Sequence, residues 1–242
     1  MKVVIVDDEA PARDRLSRLV SELDDYAVVG DATNGAEALM VCHDQAPDIV
    51  LMDIRMPGMD GIEAAQNLAL LDEPPAVIFT TAYNEYAIEA FEAQAIGYLM
   101  KPIRRSRLVA VLAQATRLTR PQLTAVAQRE QPLRKRSHLC ARVRDDLVLI
   151  PVEDVVFLVA DQKYVRMRHT AGEVLIDESL KALENEFSDE FLRIHRNALV
   201  SVGHMKTLHR QEDGGYEVEV DGCDEHLTVS RRHVSDVKRR IR

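Results

Sequence analysis

The apolar run Ile49–Met52 ends at an acid, Asp53, and the chain then breaks at the turn sequence Met56-Pro57-Gly58. Four consecutive apolar residues bounded by turn residues are typical of a strand that is buried on both faces of a parallel sheet. Ligands of open α/β sheets bind beyond the carboxyl ends of the strands, so Asp53 is predicted where such folds carry out chemistry. The alternative is an Asp that only caps the following turn.

A second apolar run, Val3–Val6, ends at three consecutive acids, Asp7, Asp8 and Glu9. Carboxylates so close together repel one another unless a cation or hydrogen-bond donors offset their charge. Their hard oxygens suit Mg²⁺, which binds one or two carboxylates and completes its octahedron with water and phosphate oxygens. One acid could instead be a favourable charge at the N-terminus of the next helix. That alternative explains one acid well and three poorly.

The elements that must position these acids alternate between strand and helix over the first 120 residues. Strands are predicted near residues 2–6, 26–29, 49–53, 76–80 and 97–100. Helices are predicted from about residue 11 and at 34–42, 62–71, 85–93 and 105–118. Strict alternation implies right-handed crossovers, and hence a parallel sheet with helices on both faces.

Two more polar side chains fall at predicted strand ends, Thr81 after the fourth strand and Lys101 after the fifth. Parallel strands end at one rim of the sheet, so both are expected near Asp7, Asp8 and Asp53. A carboxylate nucleophile, acids for Mg²⁺, a hydroxyl group and an ammonium group are the parts of a phosphoryl-transfer site. A single Lys or Thr is ordinarily a solvated charge or a strand residue, but four such strand ends favour a site.

Residues 1–120 resemble the receiver domain of bacterial two-component response regulators. The motifs that carry the resemblance are Asp7-Asp8, the segment Met52–Gly61 (Met-Asp-Ile-Arg-Met-Pro-Gly-Met-Asp-Gly), Thr81-Ala82, and Gly97–Pro102 (Gly-Tyr-Leu-Met-Lys-Pro). The resemblance implies an α/β fold, a doubly wound five-stranded parallel sheet in the flavodoxin-like order.

The resemblance also implies the roles of the acids. Asp53 would accept a phosphoryl group from a sensor histidine kinase. Mg²⁺ would be bound by Asp8, Asp53 and the backbone carbonyl of Arg55, with Asp7 acting through water.

Three further residues receive roles from the same resemblance. Thr81 and Lys101 would bind the phosphoryl oxygens, and Tyr98 would be the switch aromatic that turns inward when the threonine moves towards the phosphate. Thr80 competes with Thr81 for the hydroxyl role, and Thr81 is preferred because the family's hydroxyl precedes Ala.

The periodic pattern stops over residues 121–138, where Pro121, Pro132 and several Gln interrupt it, so this segment is predicted to be a linker. It carries the basic triplet Arg134-Lys135-Arg136. The triplet could contact DNA phosphates, but solvated linker charges are the interpretation we adopt.

Residues 139–242 have the period of two that is typical of strands. Seven short strands are predicted at 147–151, 155–159, 164–168, 174–176, 198–201, 216–220 and 227–229. One amphipathic helix is predicted at Ser179–Phe187 and another short helix after Arg231. This is a mostly-β domain whose sequence has neither a helix-turn-helix pattern nor a zinc-binding pattern.

Basic side chains cluster at three places in this half, and Arg, His and Asn are the groups that read base edges or bind phosphates. Ordinary surface charges are the alternative. The segments Asp154–Tyr164, Phe191–Val200 and Thr228–His233 resemble the LytTR DNA-binding domain, whose loops enter the grooves of direct-repeat promoter sites. The resemblance implies that the residues in contact with DNA are Lys163, His195, Arg196 and Arg231, with Arg232 as a further candidate.

Within that family, the amino-acid sequences of these segments are most similar to those of regulators of alginate biosynthesis. The resemblance therefore implies a DNA-binding transcriptional response regulator, not an enzyme, with a role in exopolysaccharide and virulence-type gene control. It also implies a homodimer. An aspartyl-phosphate phosphatase is a weaker alternative, because such enzymes place a second acid two residues after the nucleophile, where this chain has Arg55. A module that binds another protein is the other alternative.

Composition agrees with a cytoplasmic protein of two domains. Residues 1–120 hold 11 Lys and Arg against 19 Asp and Glu, whereas residues 121–242 hold 20 against 21. The near-neutral second half departs from a strongly basic DNA binder, so binding would depend on local patches. The three cysteines form neither a metal pattern nor a disulfide framework, and we found no signal peptide and no apolar segment of membrane length.

Overall fold

The computed structural model describes residues 1–71, 73–82, 96–116, 135–143, 146–212, 214–223 and 225–241. The chain divides into two units, an N-terminal unit (Met1–Arg134) and a C-terminal unit (Lys135–Arg242). The helix predicted at 85–93 and most of the predicted linker lie outside the described residues. None of the helices among the described residues is long and apolar enough to cross a membrane.

Five parallel strands form the sheet of the N-terminal unit. They are β1 (Lys2–Val6), β2 (Ala27–Ala32), β3 (Ile49–Asp53), β4 (Ala76–Thr81) and β5 (Gly97–Met100), in the order β2-β1-β3-β4-β5. All five residues of β3 are buried, as its apolar run predicts for a central strand. This order confirms the predicted doubly wound sheet.

Helices pack on this sheet. They are α1 (Ala10–Ser21), α2 (Gly35–Gln45), α3 (Gly61–Leu68) and α4 (Arg105–Thr116). Residues of α1 and α4 share one core with alternate strand residues such as Leu51 and Ile78. The residues between them, such as Val50 and Phe79, point to the opposite face and are fully buried too. Both faces of the sheet are therefore covered.

The C-terminal unit contains ten strands among its described residues. They are β6 (His138–Val143), β7 (Asp146–Pro151), β8 (Val155–Asp161), β9 (Tyr164–His169), β10 (Gly172–Ile176), β11 (Phe191–His195), β12 (Ala198–Ser201), β13 (Met205–Arg210), β14 (Tyr216–Val220) and β15 (His226–Val229). They form a five-stranded sheet in the order β10-β9-β8-β12-β11, a three-stranded sheet β13-β14-β15 and the hairpin β6-β7. All the pairings are antiparallel.

Two α-helices lie among the described residues of this unit, α5 (Leu180–Glu186) and α6 (Val234–Arg240). Leu158, on one face of the five-stranded sheet, belongs to a core that includes Leu183 of α5. Phe157, on the other face, belongs to a second core that includes Val218 and Val237 of the three-stranded sheet and α6. The five-stranded sheet is therefore the middle layer of the unit.

Sequence periodicity found seven of these ten strands and missed β6, β11 and β13. Strand β13 reads Met-Lys-Thr-Leu-His-Arg; it is one of the two edge strands of the three-stranded sheet, and none of its residues is fully buried. An edge strand needs few apolar residues, so its pattern is weak. The short helix predicted after Arg231 is confirmed as a helix that begins at Val234, and residues 231–233 form the turn before it.

The interpretation of Arg136 as a solvated linker charge is contradicted by the structure. Its side chain is 3% exposed and pairs with Glu178 (2.7 Å) and Glu186 (2.8 Å). The backbone N–H of Arg136 also donates to Glu186, and its guanidinium group lies 5.9 Å from the ring centroid of Phe187. Burial opposes the charge on Arg136, but the hydrogen bonds and charges of the two carboxylates outweigh it, so its pKa is raised. Lys135 is not a free charge either, because it pairs with Glu190.

We predict that Arg136→Met destabilises the C-terminal unit by about 3–5 kcal/mol, because it leaves two largely buried carboxylates without their counter-charge. Urea unfolding of the full chain, followed by far-ultraviolet circular dichroism, measures the change. Lys206→Met is the control, since Lys206 and its partner Asp221 are exposed, and it should leave the midpoint unchanged. Equal shifts for the two variants would contradict the prediction, whereas adding Glu178→Gln and Glu186→Gln to Arg136→Met should recover stability.

Candidate functional site

The carboxyl ends of β1, β3 and β5 bring two acids and a lysine into direct contact. Lys101 Nζ lies 2.6 Å from Asp53 Oδ2 and 2.7 Å from Asp7 Oδ2. Asp7 is fully buried, Asp53 is 7% exposed, and Asp8 is exposed at the same rim. Carboxylate oxygens of Asp7, Asp8 and Asp53 all lie within 4.8 Å of one another.

The donor set at this rim fits a divalent cation. Three carboxylates face one ammonium group, so the cluster keeps a net negative charge of two when all its groups are ionised. Its oxygens are the hard ligands that Mg²⁺ prefers. A cavity of about 670 Å³ opens beside the cluster, with Asp8, Asp60 and the loop residues 54–58, including Arg55, in its wall. This cavity gives room for water and phosphate oxygens to complete a coordination shell.

Burial and the two charged neighbours set the ionisation of the lysine and its partner. Burial raises the pKa of Asp53, and Asp7 adds to the shift, while the hydrogen bond and charge of Lys101 oppose it without cancelling it. Burial also opposes the charge on Lys101, but its contacts with both carboxylates outweigh that effect and its pKa is raised. Lys101 is therefore held as a cation over Asp53.

Backbone contacts fix the two buried acids. The N–H of Ile54 donates to Asp53 Oδ1 (2.7 Å), and the N–H of Glu9 donates to Asp7 Oδ1 (3.0 Å). Arg13, which pairs with Asp31, donates from Nη1 to the carbonyl of Asp7 (2.8 Å). Sequence reasoning missed Arg13, because a basic residue on α1 gives no sign of which strand end it supports.

The candidate hydroxyl group, that of Thr81, lies on β4, and the candidate switch aromatic, Tyr98, lies on β5. Thr81 ends β4 with its side chain fully buried, and its carbonyl accepts from the N–H of Lys101 (2.8 Å). Thr80 is the register partner of Asp53, and its buried hydroxyl has no hydrogen-bond partner among the described residues. Tyr98 is the second residue of β5, and burial raises the pKa of its hydroxyl.

Gly61 was also missed, although it lies next to the phosphoacceptor candidate. It is the first residue of α3, and its N–H donates to the carbonyl of Ile54 (2.9 Å). A Cβ at this position would lie 2.0 Å from the carbonyl oxygen of Asp53. The sequence signal was a Gly immediately after Asp60, which caps α3 by accepting from the N–H of Glu63 (2.9 Å).

In the C-terminal unit, hydrogen bonds bring three turn segments to one edge, which we call the basic edge: residues 161–164, 195–198 and 230–233. The N–H of Ala160 donates to the carbonyl of Asn197 (2.8 Å) and joins the first segment to the second. The N–H of Ser230 donates to the carbonyl of Ile194 (2.9 Å) and joins the second segment to the third. These bonds bring together residues that are about 70 positions apart in the sequence.

All five candidate DNA contacts lie on the basic edge: Lys163, His195, Arg196, Arg231 and Arg232. Lys163 is exposed, with Nζ 5.6 Å from the ring centroid of Tyr164. Arg196 and Arg231 are exposed, and His195 Nδ1 bonds to Asn197 Oδ1. Four cations and one acid, Asp161, stand in the three segments. The basic edge is therefore positive even though its half of the chain is nearly neutral.

A neighbouring histidine holds one of these arginines. Arg232 Nε donates to His233 Nε2 at 2.9 Å, which requires an unprotonated acceptor nitrogen. Burial lowers the pKa of His233, and the charge of Arg232 lowers it further. Both effects keep His233 neutral near pH 7, so Arg232 retains its acceptor.

Comparison with known proteins identifies a family for each half of the chain. Residues 3–113 match the response regulator receiver domain and residues 145–242 match the LytTr DNA-binding domain. The chain is 51% identical to the positive alginate biosynthesis regulatory protein of Pseudomonas aeruginosa, over 99% of this chain and 98% of that protein. It is 28% identical to the sensory transduction protein LytT of Bacillus subtilis, over 99% and 98%. The response regulator domain of Thermotoga maritima CheB is 31% identical over 49% of this chain and 98% of that chain, with a TM-score of 0.46.

A receiver domain followed by a DNA-binding domain defines a DNA-binding response regulator. This chain belongs to the response regulator family that joins a receiver domain to a LytTR DNA-binding domain.

We predict that Gly61→Ala destabilises the N-terminal unit by about 1–3 kcal/mol, because the new methyl group would overlap the backbone of β3. It should also weaken Mg²⁺ binding, because relief of the overlap displaces Asp53. Thermal unfolding and calorimetric titration with MgCl₂ measure the two effects. Gly203→Ala is the control, since a Cβ there meets only Ser201 Oγ at 3.9 Å. Wild-type Mg²⁺ affinity and stability in Gly61→Ala would contradict the prediction.

Proposed function

We propose that Asp53 is the phosphoacceptor of this response regulator and receives its phosphoryl group from a sensor histidine kinase. The observation that carries the proposal is the contact of Lys101 with both Asp53 and Asp7 at the rim of the sheet. Nucleophilic attack by Asp53 adds charge to a cluster that already has excess negative charge. A cation that is held in contact with the nucleophile offsets part of that charge.

Mg²⁺ is the cofactor that we propose for this site. Asp8, Asp53 and the backbone carbonyl of Arg55 would hold it, with Asp7 acting through water. Bound there, it would neutralise phosphoryl oxygens in the manner general for phosphoryl transfer. Thr81 and Lys101 would bind the remaining phosphoryl oxygens, and Tyr98 would respond to the movement of the threonine. The clustering of the three carboxylates and the open cavity beside them support this assignment.

The two matches and the two units support the domain assignment that we propose. We propose a receiver domain at residues 1–120, a linker at 121–138 and a DNA-binding domain at 139–242. In the structure the C-terminal unit begins at Lys135, and Arg136 is anchored within it, so the last four residues of this linker are part of that unit.

The output that we propose is transcriptional. Lys163, His195, Arg196, Arg231 and Arg232 would contact direct-repeat promoter DNA, and the state of the receiver would tune homodimerisation and promoter binding. The relative from Pseudomonas aeruginosa is by its name a positive regulator of alginate biosynthesis. Half of all aligned residues are identical, and we propose the same kind of target here, exopolysaccharide and virulence-type genes.

Asp53→Asn should abolish labelling of the full chain by acetyl phosphate, because an amide does not form an acyl phosphate. Chelation of Mg²⁺ should stop the labelling of wild type as well. Intact-mass measurement after incubation with acetyl phosphate detects the label. Asp14→Asn is the control, since Asp14 is an exposed acid of α1, and it should label like wild type. Undiminished labelling of Asp53→Asn would contradict the assignment of Asp53 as the phosphoacceptor.

Arg231→Ala and Lys163→Ala should separate base reading from phosphate binding. Arg231 can pair bidentately with guanine, so its loss should weaken binding to a promoter fragment by roughly 1–3 kcal/mol and weaken scrambled DNA less. Lys163 is a point charge, so its loss should weaken both fragments alike and lower the salt slope by about one at most. Fluorescence anisotropy at two salt concentrations measures both.

The promoter fragment for this comparison comes from genome-wide mapping of the DNA that the full chain binds in cells. If Arg231→Ala weakened the promoter and scrambled fragments equally, Arg231 would be a phosphate contact. Base reading would then fall to His195 or Arg196.

A further inference from the structure

Arg193 of β11 makes a contact that supports the backbone of the basic edge. Arg193 Nε and Nη2 lie 2.7 and 2.6 Å from Glu184 Oε2 on α5. Its third nitrogen, Nη1, donates to the backbone carbonyl of Arg196 at 2.9 Å. The side chain of Arg193 is 14% exposed, so it lies largely out of solvent. One guanidinium group thus joins a helix to the turn that carries Arg196.

The turn at 195–198 needs such a support, because the strand ladder leaves it irregular. Arg193 pairs with Leu199 and His195 pairs with Ala198, and the register shifts between these two pairs. An extra residue in one strand leaves backbone groups without ladder partners and lets the strand end re-orient. The planar guanidinium fork holds a carboxylate and a carbonyl at fixed angles, which a flexible ammonium group does not do.

The helix at the other end of this contact is itself fixed. Leu183 of α5 and the adjacent Phe187 are fully buried, and Ser179 caps the helix by accepting from the N–H of Ala182 (3.1 Å). Glu184 therefore presents its carboxylate from a packed element. The packed helix α5 thus holds Glu184, Glu184 holds Arg193, and Arg193 holds the carbonyl of Arg196.

We propose that Arg193, held by Glu184, is a positioning residue for the recognition of DNA bases by the turn His195–Asn197. This inference rests on the proposed role of His195 and Arg196 in DNA binding. Arg193 does not contact the DNA. It fixes the backbone from which the side chains of the turn project, so that their hydrogen-bonding groups meet base edges in one orientation. Loss of that orientation reduces base reading, whereas contacts with phosphate tolerate it, because a charge acts over a range of angles.

A purely stabilising ion pair is the competing explanation, and the chain contains a matched example. Arg166 of β9 pairs with Glu173 (2.8 Å) and Glu225 (3.1 Å), and its side chain is 25% exposed. Both arginines are strand residues with carboxylate partners and similar burial. Only Arg193 is seen to bond to a carbonyl of the basic edge. The comparison of Arg193→Gln with Arg166→Gln therefore isolates the contact with the turn.

The experiment measures the binding of the full chain, by fluorescence anisotropy, to a mapped promoter fragment and to a scrambled fragment of equal length. We expect Arg193→Gln to lower the ratio of promoter to scrambled affinity by about tenfold, the loss of roughly one well-oriented base contact. Affinity for the scrambled fragment and the salt slope should stay near wild type, since no phosphate contact is lost. Arg166→Gln should keep the wild-type ratio, even though both variants lose an ion pair.

Three further variants separate the positioning role from a folding defect. Glu184→Gln leaves Arg193 in place but releases it, so it should lower the same ratio by less. Arg193→Lys should not restore the ratio, because one ammonium group does not hold both partners in the same geometry. Arg193→Gln combined with Arg196→Ala should lower the ratio by less than the product of the separate effects, because both act on the same contact.

Three results would overturn the proposal: a wild-type ratio in Arg193→Gln or, if that variant does not fold, in Glu184→Gln; an equal loss in Arg166→Gln; or full rescue by Arg193→Lys. Failure of the proposed function gives a different result, because the wild-type chain would then show no preference for the promoter fragment. If Arg196→Ala lost the preference and Arg193→Gln kept it, DNA reading by the turn would stand and the positioning role would not.

Discussion

Mutual repulsion among Asp7, Asp8 and Asp53 is the constraint on which the N-terminal unit depends. The strand ends hold the three carboxylates within 4.8 Å of one another, and Lys101 contacts two of them. A single ammonium group leaves the cluster with excess negative charge. Burial is the main reason why the pKa of Asp53 stays raised in spite of its ion pair, and the charge of Asp7 adds to the effect. The backbone holds Asp53 there against this repulsion, with α3 packed so closely on β3 that Gly61 has no room for a side chain. The site is thus built to gain stability from a bound cation, which supports the proposal that it is a metal-dependent phosphoacceptor.

In the C-terminal unit, by contrast, an arginine side chain compensates the charge of the buried carboxylates. Glu178 and Glu186 are also largely out of solvent, but both of them contact Arg136, whose fork of donors satisfies them directly. These carboxylates need no further cation, because the planar guanidinium group of Arg136 contacts both of them and lies near the ring of Phe187. The contrast shows why carboxylates alone do not define a metal site. Excess charge and an adjacent open space distinguish the rim of the receiver domain from a structural ion pair.

The sequence predicts best what depends on short stretches of chain. Asp53 and Lys101 could be placed at one rim because each ends a short apolar run, and parallel strands bring their ends together. The same logic found the sheet of the receiver domain and seven strands of the DNA-binding domain. It failed for Arg136 because its partner Glu186 lies 50 residues further on, and nothing local separates a buried arginine from a solvated one. Arg193 was missed for a similar reason, since its role is visible only when the carbonyl of Arg196 and the carboxylate of Glu184 are seen to meet at one guanidinium group.

The nearly neutral charge of the DNA-binding half makes the geometry of its basic edge matter more. A strongly basic domain binds DNA through many phosphate contacts, and small errors in any one side chain change little. Here four cations and one acid stand in three turn segments, so fewer contacts must supply the affinity. Hydrogen bonds from Ala160 and Ser230 lock the three segments to one another, and His233 holds Arg232. Such restraints remove conformational freedom before binding. Less of the binding free energy of each contact is then needed to order the protein. We infer that, with the proposed DNA contacts, such a domain would gain specificity from the order of its turns instead of from its total charge.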